Sequence, residues 1–181
     1  ALLTQADVSG RLQAETVVDA TRCSFGLALD GLQLPADRLI TGAAAARALY
    51  AIRQAAWLLA AAEAAGAVAG ALAVTVDYLN TRNAFGRKIG SYQALKHGCA
   101  DILCQLERVR SHVFHAATLL ADDPAGAQAE TEVALRMAKA EAGDAAVQAG
   151  DRAVQFHGGF GFTWDCDAQL YLRRALWLQP W

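Results

Sequence analysis

Two short stretches of this 181-residue chain carry the residue types that chemistry uses. The first is Asn80-Thr81-Arg82-Asn83-Ala84-Phe85-Gly86-Arg87-Lys88-Ile89-Gly90, in which three cations stand near two glycines. A guanidinium is a planar fork that suits a pyrophosphate better than an ammonium does. The structural alternative for Arg82 is a cation placed where a helix C-terminus favours positive charge. The second stretch is Gln155-Phe156-His157-Gly158-Gly159. One glycine is the expected helix stop in the left-handed conformation. A second one, with Gln155 on the same turn, opens a surface where a phosphate or ribose can meet backbone N–H groups. On residue type alone, both stretches read first as helix ends, and the ligand reading stands beside that one.

Other candidates carry less. His157 has no Ser, Cys or acidic partner at a recognisable spacing, so a packed or capping role is expected. His112 and His115 are i, i+3 neighbours, but no glutamate completes a metal motif, and no metal site is predicted. Cys23, Cys99, Cys104 and Cys166 have no metal-type or redox-type spacing. In a helical chain with no visible signal peptide they suit free thiols in a reducing compartment, hence the cytoplasm. Phe160, Phe162, Trp164 and Trp177 are expected to plug the end of the fold, with a flavin or acyl wall as the sharper alternative.

The elements that position these residues follow from periodicity. Leu58, Ala62, Ala65, Ala69, Leu72, Val76 and Leu79 recur at spacings of four and three, which predicts a helix over 44–81. The stretch 83–90 reads as a loop. Ser91 is a plausible N-cap for a second helix. There Leu95, Cys99, Ile102, Leu106, Val109, Val113, Ala116 and Leu120 keep a four-three seam. Asp122-Asp123-Pro124 ends it, because proline disfavours helix in the residue before it. A third helix is expected over 127–156, with Leu135, Ala138, Ala142, Ala145 and Ala149 making a face of small residues. A fourth is expected over 165–178. Residues 1–41 differ: apolar and β-branched runs at 12–19 and 23–29, separated by turn signals, predict two or three strands, too few for a stable sheet. The expected fold is mainly α, an antiparallel up-down four-helix bundle preceded by a short β segment. The expected domains are 1–41, the C-terminal remnant of a β domain, and 42–181, the bundle.

Bulk properties exclude some classes. The formal net charge is -2 with no basic patch, which argues against a nucleic-acid or membrane-surface protein. Hydrophobic content is 55%, much of it alanine, as expected for closely packed helices. The richest stretch, 55–76, is interrupted by Glu63 and reads as a core helix rather than a membrane span. The chain begins at Ala1 and stops at Pro180-Trp181, and both ends look cut.

Taken together, the two stretches carry a resemblance. Tyr78-x-x-x-Arg82-x-x-Phe85-Gly86-Arg87-x-Ile89-x-x-x-Gln93, followed by Ala153-Val154-Gln155-x-x-Gly158-Gly159-x-Gly161-Phe162, resembles the C-terminal domain of the acyl-CoA dehydrogenase family. The resemblance covers nearly the whole chain, with 1–41 similar to the end of the family's middle β domain. The tail His157-Gly158-Gly159-Phe160-Gly161-Phe162-Thr163-Trp164, with Leu170-Tyr171-x-Arg173-Arg174, is most like actinobacterial-type dehydrogenases that assemble as α2β2 heterotetramers. Some of those act on steroid-side-chain acyl-CoA esters.

The resemblance implies α,β-dehydrogenation of an acyl-CoA thioester, with a glutamate taking the α proton and FAD N5 the β hydride. It implies electron-transfer flavoprotein as acceptor and a second acyl-CoA dehydrogenase subunit, like or unlike, as partner. It further implies that Arg82, Phe85, Gln93, Gln155, Gly158 and Gly159 touch FAD, in this family usually one seated mainly in a neighbouring subunit. Ala84 stands where the family usually has a polar cofactor contact. The family's catalytic glutamate falls either at position 182, past the last residue, or at a position that aligns with Ala56. An arginine that usually meets the substrate aligns with Trp57, and the nearest acid, Glu63, lies two turns away. No residue of the chain is therefore assigned as the base, and general-base catalysis is typically worth roughly 10²–10⁴-fold in rate. The expected role is a subunit that lends a cofactor-contacting lobe. The alternatives are a truncated homomeric dehydrogenase with its base at position 182, and a non-enzymatic helical scaffold.

Overall fold

The computed structural model describes residues 1–180. Four helices build the core: α2 (Gly42–Thr81), α3 (Gln93–Asp122), α4 (Ala129–His157) and α5 (Ala168–Leu178). Ahead of them lie one turn of helix, α1 (Gln5–Val8), and a two-stranded antiparallel hairpin, β1 (Leu12–Glu15) with β2 (Ser24–Leu27), registered Leu12 to Leu27 and Glu15 to Ser24. The α1 turn is not marked by any apolar period. Its reason is local: Asp7 Oδ2 accepts from the Thr4 N–H at 2.7 Å and from Thr4 Oγ1 at 2.6 Å.

The small-residue face of α4 decides the architecture. Leu135, Ala138, Ala142, Ala145 and Ala149 are all buried, and α4 packs against α2, α3 and α5. With methyl groups in place of branched side chains, neighbouring backbones come close. At Gly150 even a methyl is too much: a Cβ there would sit 2.6 Å from Leu172 Cα on α5. The seam read on α3 is the seam observed. Ile102, Leu106, Val109 and Ala116 are buried, and Leu95, Cys99, Val113 and Leu120 half-buried.

On α2 the observed face is different. The buried residues are Gln54, Ala61, Ala64, Val68, Ala71, Thr75 and Leu79, while Ala62 and Val76 are exposed. Alanine covers this helix on every side, so periodicity cannot choose a face, and packing chose a stripe about one residue round. By length and composition α2 is apolar enough to cross a bilayer, yet its seam belongs to the core.

Connections also differ from expectation. The 83–90 loop is a small hairpin, β3 (Asn83–Ala84) with β4 (Arg87–Lys88), closed by Phe85 and Gly86 at φ 53° and 81°. Positive φ at both central residues is the I′ turn that matches strand twist, and Gly86 adopts it without strain. Ser91 does not cap α3. It ends a 3₁₀ turn, its hydroxyl donates back to the Lys88 carbonyl at 2.7 Å, and Tyr92 takes the N-cap position. The α3–α4 connection is pinned to α2, with Tyr50 Oη (3.0 Å) and Gln54 Nε2 (3.2 Å) both donating to the Gly126 carbonyl. The aromatic tail does not plug the fold: Phe162 and Trp164 are each 70% exposed and Phe160 is 43% exposed. Trp177 alone of the four packs against the core.

Candidate functional site

The last turn of α2, the β3–β4 hairpin and the C-terminal corner of α4 enclose a hollow of about 600 Å³. Arg82 is the C-cap of α2. Its N–H donates to the Tyr78 carbonyl at 2.9 Å and its carbonyl receives the Ile89 N–H at 3.0 Å, so the hairpin is tied back onto the helix end. Among the described residues no ion-pair partner engages the Arg82 side chain. Gln155, in the last turn of α4, is exposed and its amide has no hydrogen-bond partner among the described residues.

The two glycines are not equivalent. Gly158 takes φ 63° and ψ -146°, which a side chain resists, and its N–H caps α4 on the Gln155 carbonyl. Gly159 has no such need. Its φ is not positive, and a Cβ there would meet nothing within 4 Å. Its presence leaves backbone open to the hollow, which the helix stop by itself does not require.

His157 has the packed role expected of it. It is 6% exposed, its Nδ1 lies 2.7 Å from the Ala153 carbonyl, and its ring stacks on Tyr78 at 4.3 Å between centroids. Tyr78 Oη donates to the His157 carbonyl at 3.4 Å. Tyr78, His157 and Phe160 thus form an aromatic wall along the hollow. Tyr78 is marked in the sequence only indirectly, by its place one turn before Arg82.

Of the six residues expected at a cofactor, Arg82, Gln155, Gly158 and Gly159 line this hollow. Phe85 is 94% exposed at the tip of the hairpin turn, and Gln93 is exposed at the start of α3; neither is part of the lining. Among the described residues no carboxylate lines the hollow. A free guanidinium, a free amide and open glycine backbone therefore offer donors with no competing negative charge, the donor set that a phosphate needs.

A second region bears on chemistry. Ala56 is exposed on α2. Trp57 is held between the guanidiniums of Arg53 (5.0 Å) and Arg136 (5.2 Å). Glu63 accepts from both Arg22 and Arg174. A carboxylate forked by two arginines serves as a structural anion, tied into the fold rather than aimed at an open site. The described residues contain no group of three or more His, Cys, Asp or Glu side chains placed to hold a metal ion.

Residues 42–181 match the family described as acyl-CoA dehydrogenase, C-terminal domain. The chain belongs to the acyl-CoA dehydrogenase family. Members of this family are FAD-dependent oxidoreductases. Among curated acyl-CoA dehydrogenases, IpdE2 of Mycolicibacterium smegmatis is 42% identical over 118 residues, covering 65% of this chain and 35% of that protein. FadE34 of Mycobacterium tuberculosis is 41% identical over 115 residues, covering 64% of this chain and 16% of that protein. The chain thus spans 16% to 35% of the length of these relatives. Among solved structures, the ChsE4–ChsE5 complex of Mycobacterium tuberculosis superposes with a TM-score of 0.81 at 26% identity, over 93% of this chain and 43% of that one. The mainly helical fold expected from periodicity is the fold of the family's C-terminal domain.

Proposed function

We propose that this chain is the C-terminal lobe of a flavin-dependent acyl-CoA dehydrogenase subunit, and that the hollow at the glycine corner holds part of an FAD. The observation that carries this reading is the convergence of Arg82 with Gln155, Gly158 and Gly159 on one carboxylate-free hollow. When bound, the FAD supplies the hydride acceptor for α,β-dehydrogenation of an acyl-CoA thioester, with electron-transfer flavoprotein as the onward acceptor. The chain's own residues bind and orient. Arg82 neutralises phosphate charge, Gln155 donates or accepts at sugar or phosphate, and the backbone at Gly158 and Gly159 closes on the diphosphate. Phe85 and Gln93 are assigned to parts of the cofactor that extend beyond the hollow.

The finer reading is a partnered, non-catalytic subunit. Ala56 and Trp57 replace an acid and an arginine, and Glu63 is consumed by two guanidiniums. Residues 1–41 are read as the end of the middle β domain, whose short hairpin leaves Leu12, Phe25 and Leu27 exposed. The partner is another acyl-CoA dehydrogenase subunit, the substrate an acyl-CoA with a fatty or steroid-derived acyl group, and the compartment the cytoplasm.

Reconstitution tests this. The chain is purified alone and with a partner dehydrogenase subunit, and bound flavin and acyl-CoA-dependent dye reduction are measured. Flavin retention and dye reduction are expected in the pair. Full activity of the intact gene product alone would sink the subunit role. Arg82→Ala should weaken flavin binding about tenfold, a charge-assisted contact discounted for exposure. Unchanged flavin occupancy would remove Arg82 from the site.

A further inference from the structure

Residues 1–41 are held to the bundle by charge rather than by apolar packing. Among the described residues, Asp19 is the one position in 1–41 that is buried, at 0% exposure. Its carboxylate accepts the Thr21 N–H at 2.9 Å, Thr21 Oγ1 at 2.7 Å and Nε of Arg174, which lies on α5. Arg174 also donates to Thr21 Oγ1 and to Glu63 on α2. Glu63 accepts in turn from Arg22, whose guanidinium sits 4.9 Å from the Trp177 ring. Arg173, the next residue on α5, donates to the Val18 carbonyl at 3.2 Å. Two carboxylates and two guanidiniums from three parts of the chain thus pair with one another, while Arg22 Nε is buried without a hydrogen-bond partner among the described residues.

Such a cluster is a poor source of net stability and a strong constraint on geometry. Desolvating the charges offsets most of their attraction, whereas losing one member strands another charge in a half-dry site. Forked hydrogen bonds fix position and angle, where an apolar contact would allow sliding. Beside the cluster lies an apolar hollow of about 520 Å³, lined by Val17, Val18, Ser24, Leu176, Trp177 and Pro180. Val17 and Val18 immediately precede Asp19, so whatever moves Asp19 moves that wall.

We propose that Asp19, Arg174, Glu63 and Arg22 form a latch that fixes the 1–41 segment on the bundle as a separately releasable unit, and that its closure builds one wall of the hollow at the end of α5. Release frees the hairpin and opens the hollow without unfolding the helices. The proposal does not depend on the cofactor reading.

The test is hydrogen–deuterium exchange on the 181-residue chain, comparing Asp19→Asn and Glu63→Gln with the parent. Peptides covering residues 12–27 report the segment and those covering 142–149 the bundle core. Asp19→Asn keeps the shape and removes the charge, and should speed exchange in 12–27 roughly 10- to 100-fold while 142–149 stays unchanged. Glu63→Gln, at a half-exposed site, should act in the same direction by a smaller factor. Fluorescence of the dye 1-anilinonaphthalene-8-sulfonate should rise as the hollow opens. Unchanged exchange in 12–27, or equal acceleration in both regions, would overturn the latch. Faster exchange in 12–27 with no gain in dye binding would overturn its role as the wall of the hollow.

Discussion

Arginine is used in opposite ways in two regions of this molecule. At the junction with the N-terminal segment, Arg174 is bound by Asp19, Thr21 and Glu63, and Arg22 by Glu63 and the Trp177 ring. At the glycine corner, Arg82 faces a hollow without a carboxylate, beside an amide and a glycine that the chain's own packing does not use. Satisfied charge holds the chain together, and unsatisfied charge is left for something that is not the chain. Residue type alone does not distinguish the two uses; the set of partners does.

The largest expected effect breaks this contrast directly. Arg174→Met strands the buried Asp19 carboxylate, a cost of about 2–3 kcal/mol after allowing for the partial exposure of Arg174. Detaching 1–41 relieves that cost, so limited proteolysis of the segment should accelerate steeply while the helical melt hardly moves. The same change at the other region, Arg82→Met, should leave proteolysis and melting unchanged, within about 0.5 kcal/mol, and reduce only flavin binding.

The glycines separate the two roles within one corner. Gly158→Ala places a Cβ at φ 63° and should cost about 1–2 kcal/mol, lowering the melting temperature by roughly 2–4 °C per kcal/mol as well as weakening flavin binding. Gly159→Ala meets no neighbour in the chain, so it should leave the melting temperature alone and show only in flavin retention. Equal melting losses for the two would mean that Gly159 is structural after all.

Acid gives the smallest effect near neutrality. Burial pushes the Asp19 carboxyl up, but hydrogen bonds from Thr21 and Arg174, with the Arg174 charge, hold it below its ordinary 3.8. Asp7, bonded by Thr4 and paired with Arg38 in the same segment, is also lowered. A depressed carboxylate contributes stability that is present above its unfolded value and lost as pH falls through the folded one. Around Asp19 the facing groups are Glu63, Arg22, Arg173 and Arg174. Protection of the segment, corrected for the pH dependence of intrinsic amide exchange, should therefore be flat from neutral pH down to about 4 and fall only below 3.8, whereas Asp19→Asn should abolish most of that fall.

Much of the helical frame was legible because its signals are local. The α3 seam could be read residue by residue, since Ile102, Leu106 and Val109 alternate with charged residues that mark the outer face. The α4 face of small residues and its glycine stop were equally clear. On α2, alanine lies all round the helix, so its length was readable and its buried side was not. The Phe85–Gly86 turn reads only as a loop in the sequence, because two-residue strands leave no period to read. The aromatics after Gly161 were expected inside because their side chains are large; the short 3₁₀ turn at Gly158–Phe160 leads the chain outward and leaves Phe162 and Trp164 exposed.

By itself the sequence determined the four core helices and the glycine stop of α4, the two motifs that tie the chain to the acyl-CoA dehydrogenase family, and the lack of an acid at the Ala56 position. These depend on residue type and on spacings of a few residues. Tertiary structure decided which side of α2 is buried, that Arg82 and the Gly158–Gly159 corner share one hollow, and that Asp19 is the buried anchor of the N-terminal segment. Asp19 and Arg174 are 155 positions apart, and a lone aspartate in a β-rich stretch reads as surface. It can be buried only where a distant guanidinium arrives to meet it, and that meeting is a property of the folded packing.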